Sequence, residues 1–194
     1  MLQINEIKKI LKSRLTEKRY LHSLGVQKTA ENLAKIYNGS ITKASIAGLV
    51  HDCAKNLSAE QLLNYAERFG ILVDGVTKFQ PGLLHGAVGA EIAKREFNIE
   101  DDEILNAIKF HTTGKENMTL LDQIIYLADY IEPNRNFNGV ELLREAALQD
   151  LNKATLMAFN HTIKYIVSKG ELLHLNTIFA RNDLLLRRDE LRQE

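Results

Sequence analysis

The sequence predicts an all-α protein, and three observations predict it. Apolar residues recur three and four positions apart along most of the chain, instead of alternating as they would in strands. Prolines, which interrupt helices, number only two, Pro81 and Pro133. The breaks between periodic stretches carry helix-capping residues and glycines, as in Ser58, Thr119, Gly70 and Gly170.

Each element follows from these signals. Ile4, Ile7, Ile10, Leu11 and Leu15 form one stripe, and Thr16 then caps a second helix running through Tyr20, Leu24 and Leu33 toward Tyr37. Asn38-Gly39 ends it. A third helix is expected at about 42–54. Ser58 and Gln61 make a capping box for a fourth, through Leu62, Leu63 and Phe69, with Gly70 as its stop. Residues 71–82 contain Asp74-Gly75 and Pro81-Gly82 without a helical period, which reads as a loop. Further helices are expected at about 84–97, 102–110, 119–131, 140–148 and 151–168, the 119–131 helix opened by Thr119 with Asp122. After Gly170 comes a last helix whose end, RRDELRQE, reads as a solvated and fraying face. No internal repeat is visible.

At 194 residues, with no Pro/Gly-rich linker, the chain reads as one domain spanning 1–194. Hydrophobic residues are 45% and charged residues 26%, enough for a continuous core. Lys plus Arg and Asp plus Glu are 25 each, so no global basic field attracts a nucleic-acid backbone, and a polymeric nucleic acid is disfavoured as partner. The single cysteine, Cys53, excludes an internal disulfide and suits a reducing compartment; it reads as a small buried residue rather than a nucleophile. The N-terminus lacks the apolar core and cleavage site of a secretory signal, and no apolar run approaches the ~18 residues needed to cross a bilayer. A cytoplasmic protein without a membrane partner is expected.

His51-Asp52 lies within the apolar run SIAGLVHDCAK, where two adjacent polar groups need a strong partner to offset desolvation. A metal ion is such a partner. Neighbours on a helix point about 100° apart, so the ion must sit at the helix flank and take its other ligands from other helices. His22 in RYLHSLGV and Asp129 in IIYLADYI both stand among core residues and complete the set. Two imidazoles and two carboxylates suit Fe, Mn, Co, Ni or Zn over a thiolate-preferring ion. Singly, each reads better as a satisfied core histidine or an interhelical salt bridge; together they read as ligands.

The order His22, His51-Asp52, Asp129 resembles the H…HD…D signature of the HD phosphohydrolase superfamily. More narrowly, RYLHSLGV, LVHDCAK, LLHGAVGA, IKFHTTG, YLADYIEPNR and HLNTIFARN are similar to the successive motifs of its YqeK-type branch, from about residue 19 to 182. The resemblance implies an all-α HD-domain helical bundle with its motif-bearing core at about 16–182. It also implies symmetrical hydrolysis of diadenosine tetraphosphate to two ADP by a metal-bound hydroxide. The cofactor implied is a divalent or trivalent transition metal, iron first, held by His22, His51, Asp52 and Asp129.

A bound ion supplies both nucleophile and electrophile, and the tetraphosphate requires further cations and donors. Lys55, three residues after Asp52, is expected to contact phosphate and to join Asp52 in catalysis. His85, His111 and Thr112 occupy positions that line the nucleotide pocket in the resembling branch. The two histidines are expected to bind phosphate or to protonate the leaving group, a second metal being the alternative. Arg135, after the Glu132-Pro133-Asn134 helix stop, and Arg19, one turn before His22, are expected to face phosphate. Leu172, Leu173, His174, Leu175, Asn176 and Thr177 are expected to shape a base pocket. His161 matches no motif and reads as structural. The rival functions are another HD reaction, either nucleotide dephosphorylation or cyclic-dinucleotide cleavage, and a nucleotide-sensing module that does not turn over. Intact residues at all four ligand positions speak against the sensor. The sequence leaves open whether the chain forms a homodimer.

Overall fold

The computed structural model describes residues 2–190, so the solvated end expected at 187–194 lies largely outside the described residues. Eleven α-helices and one 3-10 turn follow in order among those residues: α1 (Ile4–Arg14), α2 (Glu17–Ile36), α3 (Ile41–Val50), α4 (Ala59–Phe69), α5 (Gly75–Phe79), the 3-10 turn Pro81–Leu84, α6 (His85–Glu96), α7 (Asp102–Phe110), α8 (Leu120–Ile131), α9 (Val140–Gln149), α10 (Leu151–Ser168) and α11 (Leu175–Glu190). The bundle is built around α3 and α8. α2 and α7 each pack on both of them, α10 closes the far side of α8, and α11 lies on α10. Leu49 and Val50 of α3 with Ile124, Ile125 and Leu127 of α8 are sealed from solvent. Burying each such side chain contributes ~1.5–3 kcal/mol. One continuous core runs from Ile7 and Leu11 through these residues to Ala180 and Leu184. A smaller one seats α4, where Leu62 and Ala66 meet Leu84, Val88 and Ile92.

The helix starts expected from local chemistry are present. Thr16 Oγ1 accepts from the Arg19 N–H, and Ser58 with Gln61 and Thr119 with Asp122 form reciprocal capping boxes. Each cap is worth ~1 kcal/mol. Two glycines set how closely the helices approach the centre. A Cβ on Gly48 would stand 3.1 Å from Gln27 Cα, so α2 and α3 touch backbone to backbone there. A Cβ on Gly86 would stand 2.6 Å from the Lys109 carbonyl oxygen, which holds α6 against the end of α7.

The structure departs from the expected boundaries in three places. α3 ends at Val50, so His51 and Asp52 sit in the tight turns after the helix rather than inside it. The cause is local: Gly48 O, which would take the Asp52 N–H in a continuing helix, accepts from His51 Nδ1 at 2.8 Å. The chain then proceeds by three-residue turns, with Cys53 N–H bonded to Val50 O and Lys55 N–H to Asp52 O. The expected loop at 71–82 contains α5 and the start of the 3-10 turn. Asp74 and Thr77 form the capping box that makes so short a helix stable, and Pro81 opens the turn where its missing N–H costs nothing. Finally, α11 begins at Leu175, so half of the 172–177 segment is helical.

The close approach of α6 and α7 makes a checkable distinction. Gly86→Ala should lose about 1–3 kcal/mol in thermal unfolding, because backbone must give way. Gly82→Ala, with nothing within 4 Å of its Cβ, should stay within about 0.5 kcal/mol of the parent. Equal melting temperatures for both variants would contradict the packing described.

Candidate metal centre

Four buried histidines meet where α2, α3, α6, α7 and α8 converge: His22 within α2, His51 after α3, His85 at the start of α6 and His111 after α7. Three of them use one local device. The Nδ1 of His51, His85 and His111 bonds the carbonyl oxygen three residues earlier, at Gly48 (2.8 Å), Gly82 (2.5 Å) and Ile108 (2.7 Å). This is available only at a helix end, where a carbonyl lacks its α-helical partner. His22 stands mid-helix and uses Glu132 Oε1 at 3.1 Å instead. Carbonyl and carboxylate oxygens only accept, so each Nδ1 carries the hydrogen, and a ring that is neutral then offers a bare Nε2.

Those Nε2 atoms converge on other acceptors. His22 Nε2 lies 3.0 Å from Asp129 Oδ1 and 3.3 Å from His51 Nε2. His85 Nε2 and His111 Nε2 face each other at 3.0 Å. Asp52 stands between the pairs: Oδ1 is 3.2 Å from His85 Nε2 and 3.5 Å from His111 Nε2, while Oδ2 is 3.7 Å from His51 Nε2 and 3.8 Å from His22 Nε2. Acceptors facing acceptors in a buried site repel unless a proton or cation lies between them. A nitrogen and oxygen donor set with every Nδ1 fixed by a second partner suits a transition-metal ion. The ligand atoms of His22, His51 and Asp129 lie within 4.8 Å of one another, as do those of His51, Asp52 and His111.

The electrostatics favour charged carboxylates and, at His51 and His85, neutral imidazoles. Burial drives His51 down to about 4 and also lowers His85. Burial opposes the charge on Asp52, but His51, His111 and His85 outweigh it and hold the carboxyl well below its usual range. Asp129 is likewise held low, burial being overcome by His22, His51 and Arg135. For His22, burial is outweighed by Asp129 and Glu132, which raise it. The side chain of Asp129 is 20% exposed, so it is not fully sealed in the core. Cys53 donates to Gly89 O at 3.5 Å, and burial pushes its thiol up to about 12, which removes it as a nucleophile.

Clefts open on two sides of the centre. The first, about 520 Å³, is lined by Lys55, Gly82, Thr112, Leu172, His174 and Thr177. Thr112 Oγ1 reaches the Nε2 atoms of His85 and His111 at 3.3 and 3.2 Å. Lys55 Nζ lies 3.3 Å from His85 Nε2 and, burial being the main cause, has a lowered pKa. The second, about 440 Å³, is lined by Lys18, Arg19, His22, Arg135, Asn136 and Phe137 among others. Arg19 Nη1 bonds Asp52 Oδ2 at 3.2 Å, and Arg135 bonds both the carbonyl and the carboxylate of Asp129.

Not every expected residue reaches a cleft wall. Leu173 and Leu175 line neither cleft, and Leu175 is largely exposed because it begins α11 on its outer side. Asn176 turns toward a neighbouring groove beside Asp74, its N–H bonded to His174 Nδ1. Sequence reasoning missed Glu132, taken only as part of a helix stop. It stands three residues after Asp129, the spacing of one helix face, and that was its signal. Glu132→Gln keeps the shape but removes the charge that orients His22, and should weaken metal affinity by about 10–100-fold in a chelator competition, with helicity retained. Unchanged affinity would detach Glu132 from the centre.

Comparison with known proteins places this geometry in a family. Residues 19–134 match the HD domain model. A symmetrical bis(5'-nucleosyl)-tetraphosphatase of Halalkalibacterium halodurans is 41% identical over 177 residues, covering 91% of this chain and 94% of that protein. One of the same name in Bacillus subtilis is 38% identical over 175 residues, covering 90% and 94%. A crystal structure of a predicted HD superfamily hydrolase involved in NAD metabolism, from Clostridium acetobutylicum, is 52% identical with a TM-score of 0.94, over 96% of this chain and 99% of its own. The chain belongs to the HD-domain family, in the branch of the symmetrical bis(5'-nucleosyl)-tetraphosphatases.

Proposed function

We propose that this protein hydrolyses dinucleoside tetraphosphates, cutting diadenosine tetraphosphate into two ADP. The observation that carries the reading is the Asp52 carboxylate, set between two pairs of converging imidazoles with a cleft on either side. It is supported by 41% identity to a protein of that name, nearly along its full length. His22, His51, Asp52 and Asp129 would hold the first metal ion, for which we propose iron. Bound there, the ion would polarise a phosphoryl oxygen and lower the pKa of a water toward neutrality.

His85 and His111 were expected to bind phosphate or donate a proton. A donor needs a hydrogen on Nε2, but both Nδ1 hydrogens are already committed to carbonyls. For His85, burial disfavours adding a second proton. The facing Nε2 atoms with Asp52 Oδ1 favour a second ion in that half of the centre. The proton for the departing ADP then falls to Lys55, whose ammonium stands beside His85 with its pKa already lowered. Thr112 Oγ1 is placed to donate to a phosphoryl oxygen. Arg19 and Arg135 hold Asp52 and Asp129 with part of each guanidinium, and their remaining N–H groups serve the phosphate chain.

Two clefts around one centre suit a substrate of two halves better than the single nucleotide of a nucleotidase, and the complete ligand set suits turnover better than sensing. We read residues 1–194 as one catalytic domain acting on a small nucleotide, in the cytoplasm. No helix among the described residues is long and apolar enough to cross a membrane.

Chromatography of a diadenosine tetraphosphate digest tests the reading: ADP alone is expected, whereas AMP with ATP, or free phosphate, would overturn it. Metal analysis separates the roles within the centre. Asp52→Ala should strip the metal and abolish hydrolysis, while His111→Ala should drop the content from two ions per chain to one. A His111→Ala variant with its full metal content would return His111 to phosphate or proton chemistry.

A further inference from the structure

The two oxygens of Asp52 look toward different clefts. Oδ1 faces His85 and His111, beside which Thr112 and Lys55 line the first cleft. Oδ2 faces His22 and Arg19, which line the second. A substrate cut at its middle must extend a nucleoside diphosphate to each side of the reacting phosphorus. The second cleft, about 440 Å³ against about 520 Å³, is of comparable size and lies in the range of small-ligand pockets.

Its chemistry matches such an occupant. Lys18, Arg19 and Arg135 bring three cations to its lining. The single carboxylate among the lining residues, Glu132, is already engaged, Oε1 with His22 Nδ1 and Oε2 with the N–H groups of Asn134. The apolar Leu21, 51% exposed, and the ring of Phe137 line the same cleft. That ring is fixed from behind: it packs edge-on against Tyr130 at 5.3 Å and tilted against His161 at 5.0 Å, and Tyr130 OH and His161 Nδ1 share a 2.6 Å hydrogen bond. This gives His161 a role that no motif assigned to it. Arg19 and Arg135 bond the carboxylates of the centre, and the same cleft offers an aromatic ring, the two kinds of group that the phosphates and the base of a nucleotide require.

We infer that the cleft of Lys18, Arg19, Leu21, Arg135, Asn136 and Phe137 binds the second nucleoside diphosphate half, with Phe137 meeting the base and Lys18 the phosphates nearest the nucleoside. The inference rests on the symmetrical cleavage proposed above and adds that the protein reads both nucleosides, through different walls. The product complex therefore holds two ADP per chain.

Equilibrium binding of ADP to the metal-loaded protein tests this directly. Two ADP per chain are expected for the wild type and one for the Lys18→Ala, Phe137→Ala double variant. KM for diadenosine tetraphosphate should rise about tenfold more than KM for adenosine 5'-tetraphosphate, which brings only one nucleoside. If truncating Phe137 disturbs packing, Asn136→Asp, on an exposed loop, introduces a repelling charge without removing a buried group and should lose the same ADP. One ADP in the wild type, two retained in the variants, or equal KM changes for both substrates would overturn the assignment. Two ADP bound by a wild type that leaves diadenosine tetraphosphate intact would sink the cleavage reading while upholding the cleft.

Discussion

Four hydrogen atoms govern this structure: the Nδ1 hydrogens of His22, His51, His85 and His111, each held by an oxygen of the protein. With those hydrogens fixed, the opposite nitrogens of the neutral rings can only accept, and all four are aimed at one another and at two carboxylates. The polypeptide thus stores an unfavourable arrangement of lone pairs that a cation relieves. Such preorganisation is how a metal site sets ligand orientation before the ion arrives. It also explains why the centre needs no thiolate and leaves Cys53 inert.

The fold is arranged to hold those oxygens in place. Three come from carbonyls freed at the end or start of a helix, so the termini of α3, α6 and α7 must meet at one point. Gly48 and Gly86 allow the backbone approach this requires. The fourth oxygen, on Glu132, lies past the end of α8, a helix buried along most of its length. The stability of the α3 and α8 core and the precision of the centre are therefore the same property, since a shift of α3 would move His51 and Asp52 together and a shift of α8 would move Asp129 together with the Glu132 that orients His22.

What was legible in the sequence follows from how local its cause is. The caps at Thr16, Ser58 and Thr119 depend on residues within one turn, and they stand where the pattern puts them. His22, His51, Asp52 and Asp129 were legible because polar residues in apolar runs must have partners. The early end of α3 was not, because a side chain competes with the backbone for Gly48 O, and helical periodicity carries no trace of that. Glu132 was hidden because its partner lies 110 positions away. The second cleft was hidden for a similar reason: α2 and the segment after α8 form it together, and Phe137 has no motif of its own. Within 172–177, only the start of α11 decides which side chains turn inward, and that boundary is the least readable feature of a sequence.

The central claim is that the bare Nε2 atoms are arranged for metal. Anomalous diffraction from crystals of the metal-loaded protein, recorded at the absorption edge of the bound ion, addresses it most directly. The account predicts one peak about 2.0–2.2 Å from Nε2 of His22 and His51, shared with Asp52 and Asp129, and a second against His85 and His111 on the other side of Asp52. Peaks on the Nδ1 side of these rings, or none between the histidines, would contradict it.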